Sequence, residues 1–295
     1  MPRGGLPLRG ANGAHKPRSF DFDWIWRPLF GLLLAGAALA TLIAGGIWFA
    51  GFIVAGTAAG AREWHRMVRR GSYLHYVAVS ALAIAAAVAL PLLTHAIPSG
   101  PAPFGLALAV LAGGALVNLA FAATGGAMAP WQAAGPLYLG VPALALFALR
   151  AVPGHGIGLV LVLFAAVWAT DSGAFASGKL IGGPKLAPVL SPNKTWAGFF
   201  GGVAAAAAAA AIAMALLHGS AGRGAIAGAV LALASHAGDL FESWVKRRVG
   251  RKDSGHLIPG HGGVLDRIDS ILFAAPAFAA FVFLFGAQAI FGGQP

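Results

Sequence analysis

GDLFESWVKRRVGRKDSGHLIPGHGGVLDRIDS, residues 238–270, holds five of the nine acidic residues and six of the twenty Lys and Arg of a 295-residue chain that is only 10% charged. The sequence on either side of it is apolar. Asp239, Glu242, Ser243 and Lys246 fall at i, i+3, i+4 and i+7, so they share one face at the end of a helical run. Asp266 and Asp269, three apart, open the next apolar run, where a helix N-terminus favours negative charge. The stretch therefore reads as a helix end, a cationic Gly-rich loop and a helix start.

The flanks set the fold class. The chain is 58% hydrophobic with a mean hydropathy of +0.78, far more apolar surface than a soluble domain can cover, so we expect an all-α, polytopic integral membrane protein. The absence of cysteine excludes a disulfide framework, a thiolate zinc site and a cysteine nucleophile. The net charge of +11 is assigned to the excess of Lys and Arg on cytoplasmic loops rather than to nucleic acid.

Three regions follow: a basic cytoplasmic tail (1–26), N-terminal membrane helices of about five spans (27–150) and a catalytic region of about four spans (151–295) with cytoplasmic loops 178–195 and 243–267. Leu29–Gly60 is too long for one span at about 1.5 Å per residue and suits two helices broken near Gly45 and Gly46. Arg62, Arg66, Arg69 and Arg70, with Glu63 and Trp64, form a basic interfacial elbow. Further spans are expected at Tyr73–Leu93, Phe104–Ala123, Trp131–Leu149, Ile157–Ala176, Trp196–Leu217, Ile226–Phe241 and Ile268–Phe291. Gly198 and Gly202 are spaced for close helix packing. Nine spans with a cytoplasmic N-terminus put the C-terminus outside and leave only Arg150 and Arg223, of twenty Lys and Arg, on the outer face.

Carboxylates inside a membrane are costly and point to function; Asp171 alone would cost about 2.5–3.5 kcal/mol at mid-membrane. Oxygen ligands without cysteine suit a hard ion such as Mg²⁺. Lys and Arg side chains and Gly-rich turns suit phosphate groups. The segment DSGAFASGKLIGGPKLAPVLSPNKTWAGF, residues 171–199, adds Asp171, Lys179, Ser191, Lys194 and Thr195 on the same face. There is no GxxxxGK[ST] or GxGxxG loop. The residues themselves point to metal-assisted transfer of a phosphorus group at a membrane surface. An ion-coupled transporter using Asp171 and Asp239 is the alternative from another class.

The run SWVKRRVGRKDSGHLIPGHGGVLDRID, Ser243–Asp269, resembles the signature of the phosphatidate cytidylyltransferases, or CDP-diacylglycerol synthases. That pattern is Ser, two residues, Lys-Arg, four residues, Lys-Asp, then Pro-x-His-Gly-Gly and Asp-Arg-x-Asp, and each fixed position is met. DSGAFASGK and SPNKTW resemble the family's upstream elements, with Phe175 where Tyr is frequent and Ala197 where Glu or Gln is frequent. The resemblance implies transfer of a cytidylyl group from CTP to phosphatidic acid, giving CDP-diacylglycerol and pyrophosphate. It also implies Mg²⁺ with a second, monovalent cation (K⁺) and a homodimer; with the Lys and Arg distribution, the expected location is a bacterial inner membrane with the active site facing the cytoplasm. Carried over residue by residue, Asp239, Asp266 and Asp269 are metal ligands, and Asp239, Asp266, Lys246 and Lys252 are catalytic. Asp171, Lys179, Ser191, Lys194, Thr195, Ser243, Arg247, His261, Gly262, Gly263 and Arg267 bind substrate or shape the pocket. A cytidylyltransferase or kinase acting on another lipid stays open on this reading.

Overall fold

The computed structural model describes residues 23–69, 71–93, 102–123, 128–255, 257 and 262–291. Nearly all of the basic tail, most of the loop from His95 to Pro103, and His261 lie outside the described residues. The helices are α1 (Asp23–Ala44), α2 (Gly46–Val68), α3 (Leu74–Leu93), α4 (Ala102–Ala122), α5 (Ala129–Arg150), α6 (Gly156–Leu180), α7 (Trp196–Leu216), α8 (Ala221–Arg248), α9 (Leu265–Phe285) and a single turn, α10 (Gln288–Phe291). The protein is an all-α, polytopic membrane bundle. Among the described residues seven helices, α3 to α9, are long and apolar enough to cross a bilayer. The apolar part of α1 is the shorter segment Leu29–Ala44. In α2 the apolar run gives way at Arg62 and Glu63 to a polar last turn and a half.

The break between α1 and α2 falls at the glycine pair. Gly45 and Gly46 have φ of 66° and 47°, a left-handed conformation that favours residues without a Cβ. Arg150, at the end of α5, reaches over this break, and its Nε donates to the Leu42 carbonyl at 2.7 Å. The orphan carbonyls that end a helix thus receive a cation.

α5 is the central post. It packs against α2, α3, α4 and α9, and 72% of its most apolar window is buried, against 22% for α7. It is followed by a four-helix half, α6 to α9, whose seams are built from small residues. A Cβ on Gly198 would lie 2.9 Å from the Ala174 carbonyl, and one on Gly202 would lie 2.9 Å from that of Thr170. The expected close packing at Gly198 and Gly202 is therefore realised against α6. Gly224 and Gly228 press in the same way on the carbonyls of Ala210 and Ala206. In lipid, where burying apolar surface gives helices no advantage, such backbone proximity is the main source of packing energy.

Two local features depart from the expected layout. The segment 178–195 is not a plain loop: α6 continues to Leu180, and Lys185–Ala187 (β1) pairs antiparallel with Ser191–Thr195 (β2). α8 also outruns its apolar stretch. Its last turn, with Lys246, Arg247 and Arg248, is held because cations at a helix C-terminus complement the dipole.

Candidate active site

α6, α8 and α9 bring their acids to one end of the bundle. Gly238 makes this possible on α8: a Cβ there would lie 2.5 Å from the Asp269 carbonyl, so only glycine lets α9 approach this closely. Asp239 and Asp269 are thereby placed within electrostatic reach of each other, and both within reach of Asp171 on α6. Ser270 links two of these acids. Its N–H donates to Asp269 Oδ1 at 2.7 Å, and its hydroxyl lies 3.5 Å from Asp171 Oδ1.

The cations come from the hairpin and from α8. Lys194 on β2 forms an ion pair with Asp239, and Thr195 caps α7 by accepting from the Gly198 N–H at 3.1 Å. Arg247 Nε donates to the Leu190 carbonyl at 3.1 Å, tying the hairpin turn to the end of α8. Lys246 Nζ donates to Asp266 Oδ1 at 2.8 Å and lies 3.3 Å from Glu242 Oε1. The approach to Glu242 is an ion pair without hydrogen-bond alignment, and neither oxygen of this fully buried carboxylate has a hydrogen-bond partner.

Asp266 organises the loop. Besides Lys246, it accepts from the Ser254 N–H at 3.2 Å and from the Gly263 N–H at 3.0 Å, both through Oδ2. Gly262, with φ of 82°, supplies the turn that presents the Gly263 amide.

Two contributors were not singled out from the sequence. Glu63 on α2, read there only as part of a basic elbow, is buried beneath the loop. Its Oε2 accepts from the Leu265 N–H at 2.8 Å and from the Ser254 hydroxyl at 3.3 Å. Tyr138 on α5 brings a buried, unpartnered hydroxyl within electrostatic reach of Glu242 and Asp269. No local pattern announces Tyr138; Glu63 carried the weaker signal of a lone acid among arginines.

Of the residues singled out by sequence, Asp171, Lys194, Asp239, Lys246, Asp266 and Asp269 converge, and Arg247 joins through the hairpin. Ser191 opens β2, and Ser243 lies on α8 one turn beyond Asp239. Lys252 and Arg267 are exposed at the same end. Lys179 is also exposed and lies over the Phe175 ring, 5.7 Å from its centroid. Among the described residues no three acids or histidines form a ready-made metal cage. The donor set nevertheless fits a hard cation. Five carboxylates gather here, and the closed ion pairs supply Lys194 and Lys246; Mg²⁺ is ordinarily held by one or two carboxylates, with water and substrate phosphates completing its shell.

A membrane bundle that gathers acids and cations at one end has the parts needed to transfer a phosphorus group. The sequence profile of the Cytidylyltransferase family matches residues 25–285, and the chain belongs to that family. It is similar to the phosphatidate cytidylyltransferase of Brucella suis, 45% identical over 190 residues, which covers 61% of this chain and 69% of the relative. The phosphatidate cytidylyltransferase of Haemophilus influenzae is 46% identical over 157 residues, 50% of this chain and 54% of the relative. That of Staphylococcus epidermidis is 40% identical over 141 residues, 47% and 53% of the two chains.

Proposed function

We propose that the chain is a phosphatidate cytidylyltransferase: it converts CTP and phosphatidic acid to CDP-diacylglycerol and pyrophosphate in phospholipid biosynthesis. The observation that carries this reading is the junction of Asp171, Asp239 and Asp269 with Lys194 and Lys246 at the end of α6, α8 and α9, in a chain of this family. The phosphate monoester of phosphatidic acid is already anionic near pH 7, so it needs no side-chain nucleophile. One of its oxygens forms a bond to the α-phosphorus of CTP in line with the breaking α–β anhydride bond, and pyrophosphate leaves with that electron pair. What the protein must overcome is repulsion between anions.

Asp239 and Asp269, with Asp266 on the loop side, are the acids for Mg²⁺, and K⁺ is a second, monovalent occupant of the same acidic end. Held by these acids, a divalent ion would supply charge neutralisation for the reacting phosphates. Lys194, Lys246 and Arg247 hold the phosphates of CTP; Lys179, Lys252 and Arg267, with Ser191 and Ser243, extend the cationic rim. Thr195 keeps Lys194 in register by capping α7. Asp266 and the glycines at 262 and 263 shape the turn that faces the nucleotide, and His261 belongs to it by sequence.

The basic excess at this end supports a cytoplasmic active site in a bacterial inner membrane. Arg150 and Arg223 both cap the opposite end, Arg223 by donating to the Gln288 carbonyl at 2.9 Å. This supports about nine crossings with the N-terminus inside and the C-terminus outside, and the enzyme acts as a homodimer.

Purified protein is incubated with phosphatidic acid, Mg²⁺ and, in turn, CTP, dCTP or ATP, and lipid-linked nucleotide is followed; CTP is expected to give lipid-linked cytidine nucleotide. A folded preparation that makes none from CTP overturns the reading.

A further inference from the structure

Behind α8, away from the acids, lies a cavity of about 660 Å³ at the same end of the bundle. Met67, Val68, Ala122, Met128 and Ala129 line its apolar side, and its polar groups are Arg69, Gln132 and Arg248, with no carboxylate in the lining among the described residues. Arg248 is two residues beyond Lys246, roughly 200° around a helix of 3.6 residues per turn, so it faces away from the acid-bearing side. Its guanidinium lies 5.5 Å from the centroid of Trp244. Arg69 donates to the Tyr76 hydroxyl and lies over that ring, while its Nε is buried without a partner.

Gln132 gives the cavity direction. It is 1% exposed, and its Nε2 has no hydrogen-bond partner. A buried polar relay fixes the amide. Asn118 Nδ2 donates to Ser80 Oγ at 3.1 Å, Ser80 lies 2.7 Å from His65 Nε2, and His65 Nδ1 lies 2.7 Å from Gln132 Oε1. With Ser80 donating onward to Nε2, the His65 proton sits on Nδ1 and goes to the Gln132 carbonyl oxygen, leaving the amide N–H groups buried and unpartnered in the wall of the cavity. A membrane protein that buries Asn, Ser, His and Gln in one line meets a desolvation cost that a specific ligand would repay.

We propose that this cavity binds the phosphate group of an anionic membrane lipid, held by Arg69, Gln132 and Arg248 with its acyl chains toward the apolar wall. Three donor groups, two of them cationic, suit a phosphate diester. Basic pockets between membrane helices at a bilayer surface are a recurrent form of headgroup site. The site is separate from the reaction centre and does not depend on which reaction the other face of α8 carries out.

The test is thermal unfolding of the purified full chain in neutral detergent with dioctanoyl phosphatidylglycerol, dioctanoyl phosphatidylcholine or inorganic phosphate at matched ionic strength. Phosphatidylglycerol is expected to raise Tm saturably, and the other two to leave it nearly unchanged. Arg69→Gln should weaken the apparent affinity about 10- to 100-fold, as loss of a charge-assisted hydrogen bond does. Gln132→Glu, which keeps the acceptor for His65 but sets a carboxylate against the phosphate, should abolish the shift. An unaltered unliganded Tm and gel-filtration profile shows that these variants fold. An equal shift with phosphatidylcholine, the full shift with inorganic phosphate, or an undiminished phosphatidylglycerol response in folded Gln132→Glu would each overturn the proposal.

Discussion

Glu63 offers the sharpest test of how the loop before α9 is held. The residue is 4% exposed, and its carboxylate receives the Leu265 N–H and the Ser254 hydroxyl, one from the first turn of α9 and one from the loop. Gly255 and Gly263 close over it so tightly that a Cβ on either would come within 2.3 and 2.6 Å of its oxygens. Glu63→Ala leaves two buried donors without acceptors at about 1–3 kcal/mol each, so about 2–6 kcal/mol is lost from the closed loop. Taking about 2 kcal/mol as a floor, the ratio of closed to open loop falls roughly 30-fold. Amide hydrogen exchange should quicken by about that factor at residues 254, 255 and 262–265 while α3 and α4 are unaffected, and turnover should fall with the closed fraction of the loop. Glu63→Gln retains one acceptor oxygen and should recover part of both effects. Exchange at the wild-type rate in Glu63→Ala, with turnover within about twofold, would refute the idea that one buried carboxylate fixes this loop.

Other expectations follow from the same geometry. Gly238→Ala drives a methyl into the Asp269 carbonyl and should cost about 1–3 kcal/mol of stability, read as a lower Tm, with a larger fall in turnover because two acids separate. Asp266→Asn keeps the shape but releases Lys246; we expect turnover to be lost while expression and oligomeric state persist, and near-normal activity would remove Asp266 from the site. Lys194→Met strands the Asp239 carboxylate and should reduce turnover about a hundredfold or more, with Lys194→Arg restoring little because a planar fork does not replace a point charge. A reporter fused after Pro295 should report from outside the cytoplasm, and a cytoplasmic signal would break the nine-crossing arrangement.

The elements that sequence made legible are those with local signatures. The glycine pair at 45 and 46 marked a helix break, and the i, i+3, i+4, i+7 spacing of Asp239, Glu242, Ser243 and Lys246 put them on one face. Asp171 stood out because an acid in an apolar run is costly. What stayed hidden was long-range. Glu63 meets Leu265 across 202 residues, and nothing near it in the chain distinguishes it from a charge-balancing partner for Arg62 or Arg66. Tyr138 reads as one more aromatic in a spanning helix. The hairpin of 185–195 was obscured by its Gly and Pro content, and by strands too short to show an alternating pattern. Crossing number is least legible in α1 and α2, where apolar length and interfacial charge compete within one helix.

The small-residue seam between α6 and α7 bears on how the site comes into being. Glycine and alanine have almost no side-chain rotamers to surrender when they are buried. Where Gly178 meets Gly198 and Gly173 meets Ala205, the helices dock without ordering long side chains first. Asp171 and Lys194 ride on the two ends of this joint. The charged surface of the enzyme is thus carried on a seam that orders few side-chain rotamers as it docks, and little of the docking energy is lost again to side-chain ordering.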